Sequence, residues 1–232
     1  ILTTRRESEE FLKEIVRKTI DRKGKVLLPV LGVGRSQEIM VILERAMREK
    51  EIPEVPIYVQ GMVWDITAIH TAYPDFFNAR IKQQIFQRNE NPFLSPIFKH
   101  IVSQKEMKQV IKEGPCIIVA TSGMLTGGAS VEYFKALAED PKNSLVLNSY
   151  QGIGSLGRRL QEGEKEILFQ EGNKQIPTHV KIEIYSIEGF SGHSDRNQLM
   201  NFMHRLNPRP KKVIVIHGER SKLIDLASSI YK

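Results

Sequence analysis

The sequence predicts an α/β fold, a mostly parallel sheet flanked by helices, and three observations lead there. Short aliphatic and β-branched runs alternate with amphipathic stretches along the chain. The run at residues 25–31 (KVLLPVL) has the pattern of a buried strand. Glycine-rich loops follow several such runs, where a strand would hand over to a helix. The composition agrees with a folded domain. Of 232 residues, 41% are hydrophobic and 26% charged, which excludes wholesale disorder. No apolar run approaches the ~20 residues of a membrane span, so no membrane partner is expected. A single cysteine, Cys116, excludes a disulfide framework and a CxxC zinc clip, and it fits a reducing, cytoplasmic setting. The first residue is Ile1, not Met, which raises the expectation that the chain is a piece of a longer protein.

In chain order, Phe11, Leu12, Ile15, Val16 and Ile20 recur at helical spacing, with Gly24 expected at the C-terminal cap. The strand at 25–31 follows, then Gly32-Val33-Gly34 and a helix reaching Lys50. Pro53 and Pro56 punctuate before a short strand at 57–60. Residues 62–87 read as helix, broken near Tyr73-Pro74, and 89–100 as a looser segment. A helix at 105–112 and a strand at 116–121 come next. They are followed by a helix at 131–139, a strand at 145–149, a short helix at 156–161 and a strand at 167–170. The last quarter reads strand 181–188, helix 198–206, strand 212–216 and helix 223–231.

In an open parallel sheet ligands collect beyond the carboxyl ends of the strands, so the strand-to-helix loops are the places to search. Gly32–Glu38 (GVGRSQE) offers helix-start amides and Arg35 to an anion, or a tight turn with Arg35 in a structural ion pair. As a dinucleotide fingerprint it fails, because Gln37 takes the third glycine position. The loop at 121–128 (TSGMLTGG), with Ser122 and Gly123, could cradle a phosphate or simply connect. The stretch at 152–157 (GIGSLG) formally matches G-x-G-x-x-G. The helix after it is short for a dinucleotide half, and Arg158 and Arg159 suit a polyanion equally well. Two loops belong together: 189–195 (GFSGHSD) and 215–219 (VIHGE) put His193 and His217 at the ends of strands expected to be parallel neighbours. Such a pair suits metal ligation or proton transfer. Asp195 and Ser194 are equally well explained as helix N-caps. Two histidines are too few for a zinc coordination sphere, and HxH, HExxH and CxxC are absent.

Taken together, GFSGHSD and VIHGE closely resemble two late motifs of the metallo-β-lactamase/β-CASP nucleases. The nearest likeness is to the RNA-processing branch related to cleavage and polyadenylation specificity factors, and to its archaeal members in particular. LPVLGVGRSQE (28–38), TSGMLTGGAS (121–130) and YQGIGSLGRR (150–159) are similar to further segments of that family in the same order, with Ala129 a modest variation. The resemblance implies a β-CASP domain at residues 1–180 and the returning C-terminal segment of a metallo-β-lactamase domain at 181–232. It implies that His217 is a ligand to one of two zinc ions. His193 would lie by the scissile phosphate and Asp195 beside one of these groups, as catalytic residues. RNA would meet Arg35, Ser122, Gly123, Ser155, Arg158 and Ser191, with Lys211 and Lys212 at the margin. The excess of 34 Lys+Arg over 27 Asp+Glu, a net +7, then reads as a polyanion path.

The family's HxHxDH motif is absent, so the chain alone is expected to bind zinc poorly and to cleave nothing. The expectation for the whole protein is a zinc-dependent ribonuclease of RNA 3′-end processing or decay, endonucleolytic with 5′-3′ exonuclease action also open, and homodimeric. The alternatives are an inactive RNA-binding scaffold and a nucleotide-binding domain resting on 152–157.

Overall fold

A computed structural model of the chain describes residues 4–190 and 194–231. They fall into two compact units, within Leu2–Ser191 and within Gly192–Lys232. The first unit opens with α1 (Arg5–Asp21). Thr4 caps it: Glu7 N donates to Thr4 Oγ1 at 3.2 Å, and Thr4 N donates back to Glu7 Oε2 at 2.6 Å. Then follow β1 (Val26–Pro29), α2 (Arg35–Arg48), β2 (Ile57–Gln60), α3 (Met62–Ala72), α4 (Ala79–Arg88), β3 (Phe98–Ile101), α5 (Gln104–Lys112) and β4 (Ile117–Ala120). After them come α6 (Ala129–Leu137), β5 (Ser144–Leu147), α7 (Leu156–Gln161), β6 (Glu166–Glu171), β7 (Lys174–His179) and β8 (Glu183–Ser186). The second unit holds α8 (Arg196–Arg205) and α9 (Arg220–Tyr231).

Among the described residues six strands form one sheet in the order β3-β2-β4-β1-β5-β8, and every pairing in it is parallel. β6 and β7 make a separate antiparallel hairpin. Both faces of the sheet are covered. Val26, Leu28, Ile117 and Val119 pack with Leu12, Ile15 and Val16 of α1 and Ile39, Met40 and Leu43 of α2. On the opposite face Leu27, Ile118, Ala120, Leu145 and Leu147 pack with Tyr133 and Phe134 of α6. Burial of each such aliphatic side chain contributes about 1.5–3 kcal/mol, and the central strands are buried at every position rather than at alternate ones, apolar throughout except for Ser144.

The order of the strands defines a switch point. The chain leaves β1 for β2 and leaves the adjacent β4 for β5, in opposite directions across the sheet. The carboxyl ends of β1 and β4 therefore flank a topological switch point, the place where open α/β sheets generally take a ligand.

Several expectations change. Gly24 is not the left-handed cap of α1: Lys23 takes that conformation (φ 64°). Gly24 is instead needed for space, since a Cβ there would lie 1.7 Å from Lys142 O. The looser segment ends in the edge strand β3, whose pattern is too polar to announce itself. The strand at 167–170 gains a partner, β7. The expected strand at 212–216 is not formed among the described residues. Ile214 and Ile216 are 72% and 75% exposed there. A strand exists only when its backbone groups find a neighbouring strand. The segment expected beside it, β8, pairs with β5 and is the last strand of the sheet among the described residues.

Candidate functional site

Three loops meet at the carboxyl edge of the sheet beside the switch point. Gly123, in the loop after β4, is buried; a Cβ on it would lie 3.0 Å from Ser149 Oγ and 3.1 Å from both Leu31 N and Val30 C. The absence of a side chain thus lets that loop close onto the end of β1 and the loop after β5. Gln151 Nε2 donates to Gly123 O at 3.0 Å, and Gly157 N donates to Met124 O at 3.2 Å. Asn148 Nδ2 reaches Pro29 O at 3.1 Å, tying β5 to the end of β1. Gln151 and Asn148 are each 2% exposed. Sequence reading passed over both; the signal was a polar run, Asn148-Ser149-Tyr150-Gln151, directly after a fully buried strand.

The predicted contacts in these loops are placed as follows. Ser122 Oγ accepts from Thr126 N at 3.0 Å and lies 3.1 Å from Thr126 Oγ1, and Ser130 Oγ donates to Ser122 O at 2.8 Å. The loop after β4 is therefore internally braced rather than slack. Ser155 is the N-cap of α7, accepting from Arg158 N at 3.2 Å. Arg158 Nε donates to Glu162 at 2.7 Å. Arg35 pairs with Glu38, and Glu38 also pairs with Arg5, so the structural ion pair at Arg35 is present. Such partly exposed pairs are worth about 0–1 kcal/mol, little enough for a phosphate to compete with. The helices α2 and α6 begin at Gly34 and Gly128, and neither has a side-chain cap. Of their first-turn amides, those of Arg35 and Ser130 already donate to Val33 O at 3.0 Å and Thr121 O at 2.8 Å, and the remaining ones can attract an anion. The G-x-G-x-x-G stretch leads into a six-residue helix, too short to carry a dinucleotide pyrophosphate in the usual way. Its third glycine, Gly157, makes room for a side chain instead: a Cβ there would lie 1.8 Å from Gln151 Oε1.

In the second unit Asp195 caps α8. Gln198 N donates to Asp195 Oδ1 at 2.8 Å, and Asp195 N donates to Gln198 Oε1 at 2.9 Å. His217 is exposed and adopts a left-handed backbone (φ 62°) at the bend before α9. Lys211 and Lys212 are exposed. Ser191 and His193 lie outside the described residues, as does the expected pairing of His193 with His217. Among the described residues no group of three or more His, Cys, Asp or Glu side chains could hold a metal ion. The described donors by themselves do not complete a zinc site. No described helix is long and apolar enough to cross a membrane. Cys116 is buried, and burial pushes its thiol pKa up to about 12, so it is unsuited to nucleophilic work.

The β-CASP domain profile matches residues 36–160, and the profile of the Zn-dependent metallo-hydrolase RNA specificity domain matches 177–232. The chain is 51% identical over 231 residues to a protein named transcription termination factor FttA of Thermococcus kodakarensis, covering 98% of this chain and 35% of the relative. It is 49% identical over 234 residues to the protein of that name in Methanocaldococcus jannaschii, covering 99% of this chain and 36% of the relative. With the Lokiarchaeum protein of that name the identity is 47% over 233 residues, covering 100% and 36%. The chain thus spans about a third of the length of the curated relatives it matches.

Proposed function

The chain belongs to the β-CASP family, and from that membership we propose that it is part of a zinc-dependent ribonuclease acting in RNA 3′-end formation. Residues 1–180 are read as the β-CASP domain and 181–232 as the returning segment of the metallo-β-lactamase domain. The observation that carries the reading is the RNA specificity domain match at 177–232, which spans both histidine motifs. The relatives' name favours 3′ ends made at transcription termination. Endonucleolytic cleavage is the favoured mode, and the whole protein is read as a homodimer.

Zinc, when bound in the whole protein, would activate water and offset phosphate charge. His217 is read as one of its ligands. No step is assigned to the metal here, because the described donors do not complete a site. The chain's own residues have narrower tasks. His193 holds a proton for the departing 3′ oxygen, and Asp195 steers one of the histidines. Arg35 and Arg158, with the amides at the starts of α2 and α6, hold backbone phosphates with little regard for sequence.

The test is cleavage of a labelled single-stranded RNA by the full-length protein, its His193→Ala and His217→Ala variants, and the protein stripped with a chelator. Each change is expected to lower the rate by several orders of magnitude. Near-normal cleavage by either variant removes the site assignment. A wild-type protein that binds RNA without cleaving it makes the family scaffold the better reading.

A further inference from the structure

The crossover from β2 to the edge strand β3 carries a surface that the loops of Arg35 and Arg158 do not use. It consists of the end of α3, a one-turn 3-10 helix at Pro74–Phe76, and α4. The segment is fastened from beneath. Phe77 packs against the core, its ring centroid 5.5 Å from that of Phe93, and Ile81 is buried. Asn78 caps α4, its Oδ1 accepting from Ile81 N at 3.0 Å. Outward from this anchor, Tyr73, Phe76 and Phe86 are 60%, 87% and 59% exposed. Tyr73 and Phe76 have centroids 6.5 Å apart and planes at 64°, so the two rings do not stack on each other. Phe86 contacts no other ring among the described residues. Cations are set between the rings. Residues 76–89, bounded by Asp75 and Glu90, hold Arg80, Lys82 and Arg88 and no Asp or Glu. None of the three forms an ion pair among the described residues, whereas Arg5 and Lys18 of α1 and Arg45 and Arg48 of α2 all do. Lys82 and Phe86, four residues apart, are neighbours on one stripe of the helix.

From this we propose that α4 and the turn before it form a second RNA-binding surface, on a different crossover of the sheet from Arg35 and Arg158. Unstacked bases lie against Phe76 and Phe86, and Arg80, Lys82 and Arg88 meet the phosphates. Single-stranded nucleic acid calls for this mixture. Each nucleotide carries an apolar ring face beside a negative charge, and aromatic rings set among unpaired cations answer both. A protein partner favours the opposite arrangement, an apolar centre depleted of charge. A duplex presents its phosphates but keeps its base faces stacked, so the occupant is a single strand. The proposal rests on the reading of the whole protein as acting on RNA.

Fluorescence anisotropy with the full-length protein tests it on labelled probes of equal length: a single-stranded RNA, the same RNA annealed to its complement, and an abasic ribose-phosphate strand. Phe76→Ala/Phe86→Ala is expected to weaken binding of the single strand by roughly 10- to 100-fold and to leave the duplex and the abasic strand within about twofold. Arg80→Gln/Lys82→Gln/Arg88→Gln is expected to weaken the single strand and the abasic strand alike. It should also reduce the slope of log affinity against log salt by about 2, since each single-strand phosphate contact contributes about 0.7. Photo-crosslinking of a thiouridine-containing RNA to the unaltered protein needs no variant, and adducts within residues 73–88 are expected. Single-strand binding unchanged in Phe76→Ala/Phe86→Ala overturns the proposal. So does an equal loss on the abasic strand, or adducts confined to other segments. Binding that Arg35→Ala weakens and the α4 variants do not overturns this proposal alone. A wild-type protein that binds none of the probes overturns the RNA reading and the proposal together.

Discussion

Gln151 fastens the loop after β5 to Gly123 in the loop after β4, through a hydrogen bond of 3.0 Å from its side-chain amide. The same nitrogen reaches Ser149 O at 3.0 Å, and the side chain is 2% exposed. Two loops that begin on different strands, with β1 between them, are therefore fastened to each other beside the switch point.

Gly157→Ala tests that fastening by the sign of its effect. Helix propensity alone would make alanine the better residue in α7, by about 1 kcal/mol. The new Cβ, however, would lie 1.8 Å from Gln151 Oε1 and 2.7 Å from its Cδ. Displacing Gln151 strands buried polar groups, so the expected outcome is destabilisation of roughly 1–3 kcal/mol. Urea unfolding of the protein and its variant measures it. A stabilised variant would show that the loops are not fastened in this way.

Asp195 has a visible structural task, capping α8, and a proposed catalytic one, and two substitutions separate them. Asn caps as well as Asp, so Asp195→Asn is expected to leave the thermal midpoint nearly unchanged while lowering kcat of the full-length protein. Asp195→Ala is expected to lose both, with a stability cost of about 1 kcal/mol. If Asp195→Asn cleaves RNA at the wild-type rate, capping is its whole role.

Arg35→Ala is expected to weaken RNA binding and to reduce the slope of log affinity against log salt by about one, the signature of one lost phosphate contact. Fluorescence anisotropy with a short single-stranded RNA across a salt series measures it. A slope equal to that of the wild type would leave Arg35 with only its Glu38 ion pair.

Acid should unfold the protein partly through its capping carboxylates. The backbone N–H of Thr4 lowers the pKa of Glu7, and that of Val102 lowers the pKa of Glu106. Burial works against the ionised Glu183, but hydrogen bonds from Tyr185 and Arg22 outweigh it and lower its pKa too. A carboxylate lowered in the folded state contributes stability above its ordinary value of 4.5, and that stability is lost as pH falls through the folded value. Glu44, raised by burial, acts in the opposite sense. The thermal midpoint is expected to fall between about pH 5 and pH 3. Glu106→Gln keeps the cap geometry without the charge, so it should flatten that fall. An unaltered acid limb in the variant would count against the assignment.

Much of the fold was legible in the sequence because its signals are local. The apolar runs that became β1, β4 and β5 and the periodicity of α1 and α2 need no knowledge of distant residues, and strand-to-helix loops follow from them. The histidine motifs were legible as chemistry because their residue types are stated outright in GFSGHSD and VIHGE. Ser155 and Asp195 show the limit of that legibility, since a capping side chain and a ligand-facing one use the same residue types.

By itself the sequence determined an α/β chain with a buried parallel sheet, and it offered the residues proposed for acid–base and phosphate chemistry. Only the tertiary structure decided the strand order β3-β2-β4-β1-β5-β8, and with it the switch point at β1 and β4. It alone showed that Glu38 is shared by Arg5 and Arg35, that Gly24 is a glycine because of Lys142, and that residues 212–216 lack a strand partner among the described residues. The reason is physical. Propensity and amphipathicity act over a few residues, whereas strand pairing and close backbone approach are set by atoms far apart in the chain, as Gly24 and Lys142 are.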